Sequence, residues 1–420
     1  MTAHHAAIRS ALALFLVVAG TAAGAPAPRR SPPRPLLILM SFDGFRWDYL
    51  DRGLTPNLSR IAESGVRVRA LVPSFPTKTF PNHYTLVTGL LPEHHGIVDN
   101  TVKDPGTGAV FHASDTLAVR DPRWWGGEPL WVTAERQGAR SAAMFWPGTE
   151  APIAGVLPTY WRRYDARVPD SARVDQVLAW LDLPDAQRPS VLLLYLSDTD
   201  DAGHRYGPDA PQMADAIRQV DAMVGRLVDG LRARGLEGRA NLVFVSDHGM
   251  EAIDTSRVVV LDDYLDPRAV ELLTAGPLLA FNPRPGLEDS AVRAAARIPH
   301  AHVYRRLETP ERWRYRDNPR IAAFVGVADA GWQVLERLPL QIRPQLFTGG
   351  SHGYDPADSA MRGILVAAGP AFRHGVVLDP LGNVNVYELL CRVAGLTSAA
   401  NDGSPDSVAA FFAGPPRGVR

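Results

Sequence analysis

Three stretches of the chain are nearly unbroken runs of apolar residues. They are "PLLILMSF" leading to Asp43, "SVLLLYLS" leading to Asp198 and Asp200, and "ANLVFVS" leading to Asp247. Each is too short for a long helix, and none has a polar face. A strand buried on both faces of a parallel sheet has this pattern, because helices cover it above and below. Segments of helical period lie between the runs. "TPNLSRIAESG", "EPLWVTAERQG" and "APQMADAIRQVDAMVGRLVDGLRARG" all close on Gly, as helix C-termini commonly do. The alternation predicts an α/β fold with a mostly parallel, doubly wound sheet and helices on both faces. Residues 100–164 are rich in Trp, Gly and Pro with weak periodicity, and are expected to form loops over the crevice. Residues 262–345 are expected to form a small insertion subdomain.

Composition narrows the class. The 420 residues carry 44 basic and 45 acidic side chains, so no general affinity for a nucleic-acid backbone is expected. The first 25 residues read as a signal peptide, with Arg9, the apolar core "ALALFLVVAGTAA" and small residues ending at Ala25. Residues 26–34 read as a flexible spacer. The chain is therefore expected to be exported, periplasmic or secreted, without stable membrane insertion once the signal is cleaved; a retained anchor is the alternative. Cys391 is the only cysteine, so an intrachain disulfide and a thiolate zinc site are both excluded. Any metal would be held by His and carboxylate.

The candidate chemistry sits where the apolar runs end. In open α/β sheets, ligands bind at the carboxyl ends of the strands. There the sequence places Asp43, the pair Asp200 and His204, and the pair Asp247 and His248, with His352 in "GGSHGYDP". Each taken alone reads as a turn or capping residue. Together, three carboxylates and three imidazoles exceed one tetrahedral ion and suit two zinc ions that keep positions open for substrate. Thr79, in "PTKTFPNHY", opens a helical segment. It reads either as an N-cap or as a nucleophile that metal coordination activates. Helix amides beyond it, with Asn82 nearby, would face an incoming anion.

These motifs are identified as those of the nucleotide pyrophosphatase/phosphodiesterase family of the alkaline phosphatase superfamily. The resemblance is carried in order by "SFDGFRWDYL", "PTKTFPNHYTLVTGLLPEHHGIVDN", "WWGGEPLWVTA", "FWPGTE", "DTDDAGHRYGP", "VSDHGM", "GSHGYDP" and "VNVYELLCRVAGL". It resembles the compact bacterial form and implies a single alkaline-phosphatase-like catalytic domain over residues 35–420. It implies one zinc on Asp200, His204 and His352, and another on Asp43, Asp247, His248 and the Thr79 oxygen. It implies hydrolysis of nucleotide phosphodiester and pyrophosphate bonds to nucleoside 5′-monophosphates through a threonyl-nucleotide intermediate. Asn100, with the Thr79 or Phe80 amide, would bind a phosphate oxygen. Phe80 and Tyr164 would stack on the base, with Trp146 and Tyr195 lining the same pocket. Lys78 would help position the nucleotide or stand solvated on the surface. Asp198 and Asp201 would lie outside the ligand set, and His83, His94 and His95 are given no metal role. Trp124, Trp125 and Trp131 are expected to pack in the core. A sulfatase is excluded because Cys391 lies far along the chain from Thr79. A phosphomonoesterase, a choline-phospholipid diesterase and a non-enzymatic exported metal-containing binding protein stay open as alternatives.

Overall fold

The computed structural model describes residues 34–414. The stretches expected to be a signal peptide and most of a spacer lie outside the described residues. Eight strands form the main sheet: β1 (Leu36–Phe42), β2 (Val66–Val68), β3 (Ser141–Met144), β4 (Tyr160–Arg162), β5 (Val191–Leu196), β6 (Ala240–Val245), β7 (Leu365–Ala368) and β8 (Val376–Leu378). Their order is β8-β2-β7-β6-β1-β5-β3-β4. Only β7 runs antiparallel to its neighbours; the other pairings are parallel.

The three apolar runs are β1, β5 and β6, side by side at the centre of the sheet. Alternate side chains serve opposite faces. Leu37, Leu39, Val191, Leu193 and Val243 pack beneath helices α2 (Thr79–Thr88), α3 (Leu130–Arg136) and α7 (Val386–Ala394). Ile38, Met40, Leu192, Leu194 and Phe244 pack beneath α1 (Pro56–Ser64), α4 (Asp170–Leu181) and α6 (Pro211–Ala233). These side chains are essentially inaccessible to water, and each such burial stabilises the fold by about 1.5–3 kcal/mol. Parallel order carries all three carboxyl ends to one edge, so Asp43, α5 (Asp198–Tyr206) and Asp247 meet there.

The span 100–164 departs from the loop expectation. It holds a hairpin of Thr101–Lys103 and Val110–His112, helix α3, and the two sheet strands β3 and β4. "SAAM" and "YWR" are too short to carry a period, so pairing rather than local preference makes them strands: β3 lies against β5, and β4 lies against β3 at the edge of the sheet. Trp124, Trp125 and Trp131 are buried in the core, as expected. Within 262–345, Val270–Thr274, Leu278–Pro283, Phe324–Ala328 and Ala301–Arg305 pair, in that order, as a separate antiparallel sheet. One side of it packs on its own cluster around Phe281 and Phe324. Leu278, Ala280, Val325 and Val327 join the main core instead.

Two helix N-termini beside the site share a carboxylate pair. Asp170 begins α4 and Asp198 begins α5. Burial, with the hydrogen bond and charge of Asp198, pushes the Asp170 carboxyl up to about 8, against the opposing influence of Arg173 and Gln219. A carboxyl raised by folding contributes stability below its ordinary pKa of about 3.9 and loses it as pH climbs through the folded value. Asp170→Asn carries no such titration. Its melting temperature is therefore expected to match wild type near pH 5 and to exceed it by roughly 2–4 °C at pH 9, measured by calorimetry.

Candidate active site

Thr79 is the first residue of α2, after an extended Lys78, and its hydroxyl caps no amide of that helix. The N-cap reading therefore falls. Its Oγ1 lies 3.3 Å from His248 Nε2. The loop before it is stitched to the His352 loop. Thr77 accepts the His352 Nδ1 proton on its carbonyl at 2.8 Å and the Gly353 amide on its hydroxyl at 3.0 Å. The same hydroxyl donates to the Tyr354 carbonyl at 2.8 Å. Gly353 is at φ +117, a backbone conformation that favours glycine, and a Cβ there would also press on the end of the Lys78 side chain, 2.8 Å from Cε.

Asp43 follows β1 and is buried. Its Oδ2 accepts the Tyr195 hydroxyl at 2.5 Å, while Oδ1 has no hydrogen-bond partner. Asp247 accepts the Gly44 amide on Oδ1 at 3.2 Å, and its Oδ2 is likewise without a partner, 3.0 Å from His248 Nε2 and 3.3 Å from His83 Nδ1. Asp200 is the third, with Oδ1 unpartnered, 3.4 Å from His204 Nε2 and 3.7 Å from His352 Nε2. Gly44, at φ +65, clears the way for it: a Cβ there would lie 3.0 Å from the Asp200 backbone.

The imidazoles are oriented by their other nitrogens. Nδ1 of His204, His248 and His352 lies 3.0, 2.8 and 2.8 Å from the carbonyls of Gly350, Gly249 and Thr77. Each carbonyl can only accept, so each Nδ1 carries a proton and, in the neutral ring, Nε2 presents the lone pair; in His248 burial opposes charge, but the neighbouring Asp247 prevails and raises the imidazole pKa. The His248 and His352 rings stack with centroids 3.6 Å apart. Burial, with Asp247 and Asp200 nearby, holds the Asp43 carboxyl well above the ordinary range. Burial would raise Asp247 too, but His248 and His83 outweigh it and hold it well below. Burial and the charge of His248 keep the His352 imidazole well below its usual pKa, hence neutral at pH 7.

This donor set fits divalent cations. Asp43 and Asp247, both buried, and the half-buried Asp200 each leave one inaccessible oxygen bare toward three fixed Nε2 atoms, and a bare buried carboxylate oxygen is costly unless something positive meets it. By distance alone the residues fall into two groups, Asp200, His248 and His352, and Asp43, His83 and Asp247. The resemblance instead implied His248 beside Asp43 and gave His83 no metal role. Both ring nitrogens of His83 have other neighbours. Nε2 lies 2.9 Å from Ser41 Oγ, and Nδ1 lies 3.0 Å from the Thr79 carbonyl. That makes His83 a brace under Thr79 and Asp247, one helical turn beyond the threonine, which is the spacing that could have flagged it.

Asn100 Oδ1 accepts the Phe80 amide at 3.0 Å, leaving its Nδ2 hydrogens for a ligand. The Phe80 amide is thereby used, so of the two amides expected to face an anion only that of Thr79 stays available. Asn82 is withdrawn too: it is buried, accepts from Ser74 N and Asn383 Nδ2, and donates to the carbonyls of Pro76 and Lys78. Lys78 is half-buried and does not line the aromatic cavity; its ammonium donates to the His352 carbonyl at 3.2 Å. Asp198 accepts from Gln219 and Asp201 from Ser197. His94 bonds Asp402 and His95 bonds Thr85.

Beside Thr79 opens a cavity of about 320 Å³ lined by Phe80, Phe145, Trp146, Tyr164 and Tyr195, the four expected aromatics among them. Ser114, Thr116, Glu150 and Arg163 add polar groups to its wall. Glu150 was not anticipated, although it ends the quoted "FWPGTE". Its carboxylate accepts the Tyr164 amide at 2.8 Å and so holds that aromatic in place.

A family model described as type I phosphodiesterase / nucleotide pyrophosphatase matches residues 37–355. An uncharacterized pyrophosphatase/phosphodiesterase of Schizosaccharomyces pombe is 40% identical over 380 residues, 88% of this chain and 78% of that protein. Human ectonucleotide pyrophosphatase/phosphodiesterase family member 5 is 38% identical over 379 residues, 89% of this chain and 77% of its own length. Against human family member 1, at 37% identity, 91% of this chain aligns with 42% of the longer protein. The solved structure of murine family member 5 superposes with a TM-score of 0.86 at 37% identity, covering 90% of this chain and 100% of that one. A further structure of the murine protein, TM-score 0.85 at 37% identity and with the same coverage, is described as an inactive threonine-to-alanine variant in complex with AMP.

Proposed function

The chain belongs to the type I phosphodiesterase/nucleotide pyrophosphatase family, and from that membership we propose that it hydrolyses nucleotide phosphodiester and pyrophosphate bonds to release nucleoside 5′-monophosphates. The observation that carries the reading is the juxtaposition of an uncapped threonine hydroxyl, bare carboxylate oxygens, oriented imidazoles and an aromatic cavity.

Two divalent ions, proposed to be zinc, would be held by Asp200, His204 and His352, and by Asp43, Asp247, His248 and Thr79 Oγ1. When bound, such ions supply Lewis-acid positive charge beside the threonine hydroxyl and the phosphate. Around them the chain's own residues do the following. Phe80 and Tyr164 sandwich the base, with Trp146 and Tyr195 closing the wall, and orient the nucleotide with its phosphate at Thr79. Asn100, fixed by the Phe80 amide, donates from Nδ2 to a non-bridging phosphate oxygen. Thr79 Oγ1 gives its proton to solvent and forms a bond to phosphorus as the bond from phosphorus to the leaving-group oxygen breaks. Water then displaces the threonine oxygen, freeing the nucleoside 5′-monophosphate and restoring the hydroxyl. Lys78 acts through the His352 loop it is bonded to. Export from the cell is proposed with the activity. Among the described residues no helix is long and apolar enough to cross a membrane.

A diester is favoured over a monoester because an apolar ring follows the nucleophile where a monoesterase would place cations for the extra charge. Stacking contributes roughly 1–3 kcal/mol per base. The kcat/KM for thymidine 5′-(p-nitrophenyl phosphate) is therefore expected to exceed that for p-nitrophenyl phosphate by about 10–100-fold. Preference for the monoester would sink the diesterase reading. Preference for p-nitrophenylphosphorylcholine would move the substrate class to choline phospholipids.

A further inference from the structure

Tyr195 faces two ways. Its ring is part of the aromatic cavity wall, with its centroid 6.3 Å from that of Tyr164. Its hydroxyl points away from that role and donates to Asp43 Oδ2 at 2.5 Å. A stacking wall needs only the ring, and phenylalanine would supply it. The hydroxyl therefore has a separate use. A carboxylate can meet a cation through one oxygen or two. With Oδ2 held from behind, Asp43 is left with Oδ1 alone, the oxygen that has no partner.

The bracket is rigid at both ends. In the parallel register Ser41 sits opposite Tyr195, so the tyrosine flanks the end of β1. The Thr199 hydroxyl donates to the Asp43 carbonyl at 2.5 Å and fixes the main chain. On its other side the Tyr195 ring packs edge-on to His83, centroids 5.1 Å apart. Rotation of the phenol is blocked unless the cavity wall moves with it.

We propose that Tyr195 is a positioning residue that couples the nucleoside cavity to the metal centre, its hydroxyl restricting Asp43 to one ligating oxygen while its ring meets the nucleoside. The proposal rests on the reading above that Asp43 holds a metal ion. A nucleoside seated on the ring resists the rotation that would free Asp43, so nucleoside and metal tighten one another, and by linkage the effect is equal in both directions.

The test uses adenosine, which enters the cavity but has no phosphate to touch a metal. Zinc affinity of the metal-free full chain is measured by competition with a chromogenic chelator, with and without saturating adenosine, for wild type and Tyr195→Phe. The variant is expected to bind one of two zinc equivalents about 10–100-fold more weakly, as loss of a hydrogen bond behind a ligand does elsewhere. Adenosine is expected to tighten zinc at least about fivefold in wild type and not in the variant. Adenosine affinity without zinc should agree between the two within about threefold. Equal zinc affinity in both proteins would overturn the proposal, as would adenosine binding that falls in Tyr195→Phe while zinc affinity holds, which makes Tyr195 a cavity wall only. If the variant does not fold, the wild-type measurement decides alone: no tightening of zinc by adenosine overturns it. Failure of wild type itself to bind zinc is a different result, and it removes the metal reading on which the proposal stands.

Discussion

Thr79→Ala is expected to abolish turnover while leaving the fold, the metal content and nucleotide binding intact. Removing an activated nucleophile lowers kcat by roughly three orders of magnitude or more. The structure makes this substitution unusually clean. The hydroxyl caps no amide, and its side-chain hydrogen-bond contact is His248 Nε2 at 3.3 Å. Alanine is well tolerated in a helix. Melting temperature and far-ultraviolet circular dichroism should therefore be unchanged, and zinc by elemental analysis should match wild type. AMP should still bind, because the aromatic cavity and Asn100 are untouched. Thr79→Ser keeps the oxygen and is expected to retain measurable activity. An alanine variant with more than a tenth of wild-type turnover and full zinc would show that another group attacks phosphorus.

Removing the metal is the second large effect. Dialysis against a chelator should eliminate activity, and zinc added back should restore it as the second equivalent binds. Stability should follow. Asp43, Asp200 and Asp247 converge with bare oxygens, and without a cation their crowding is relieved only by the raised Asp43 carboxyl and by the imidazoles beside Asp247. A ligand that binds only the native state, present at a thousand times its Kd, stabilises by about 4 kcal/mol. For a chain of this size the melting temperature should drop on the order of 5–10 °C on stripping and recover with zinc.

The pH dependence has a definite sign. The raised Asp43 carboxyl contributes stability to the metal-free protein at low pH and loses it as pH rises through the folded value. The depressed Asp247 contributes stability above the ordinary carboxylate range and loses it only in strong acid, so it does not change between pH 5 and 8. Zinc requires unprotonated imidazoles and binds better as pH rises. The gap between zinc-loaded and stripped melting temperatures should therefore widen from pH 5 to pH 8. A constant gap would mean that these side chains do not hold the ion.

The arrangement also explains why a threonine suits this position. The helix start exposes the hydroxyl on rigid backbone, and Thr77 and His352 lock that backbone to the loop carrying an imidazole donor. A site held by secondary-structure ends and loop-to-loop hydrogen bonds needs little rearrangement to bind phosphate.

What the sequence determined by itself is the set of elements and groups whose signal is local. β1, β5 and β6 were legible because burial on both faces writes a continuous apolar run. Asp43, Asp200 and Asp247 were legible because such runs break into acid at the ligand-binding edge. α6 was legible because 23 residues carry a clear helical period. The tertiary structure alone decided matters that depend on distance between remote segments. It made "SAAM" a strand by laying it along β5, and "YWR" a strand by laying it along "SAAM". It turned Asn82 from the anion toward four structural hydrogen bonds, and it spent the Phe80 amide on Asn100. It put His83 under Thr79 and the Tyr195 hydroxyl on Asp43. Burial pattern is a property of neighbours along the chain, and so it is written there. A hydrogen-bond partner 152 residues away is chosen by packing, and only the folded chain contains that information.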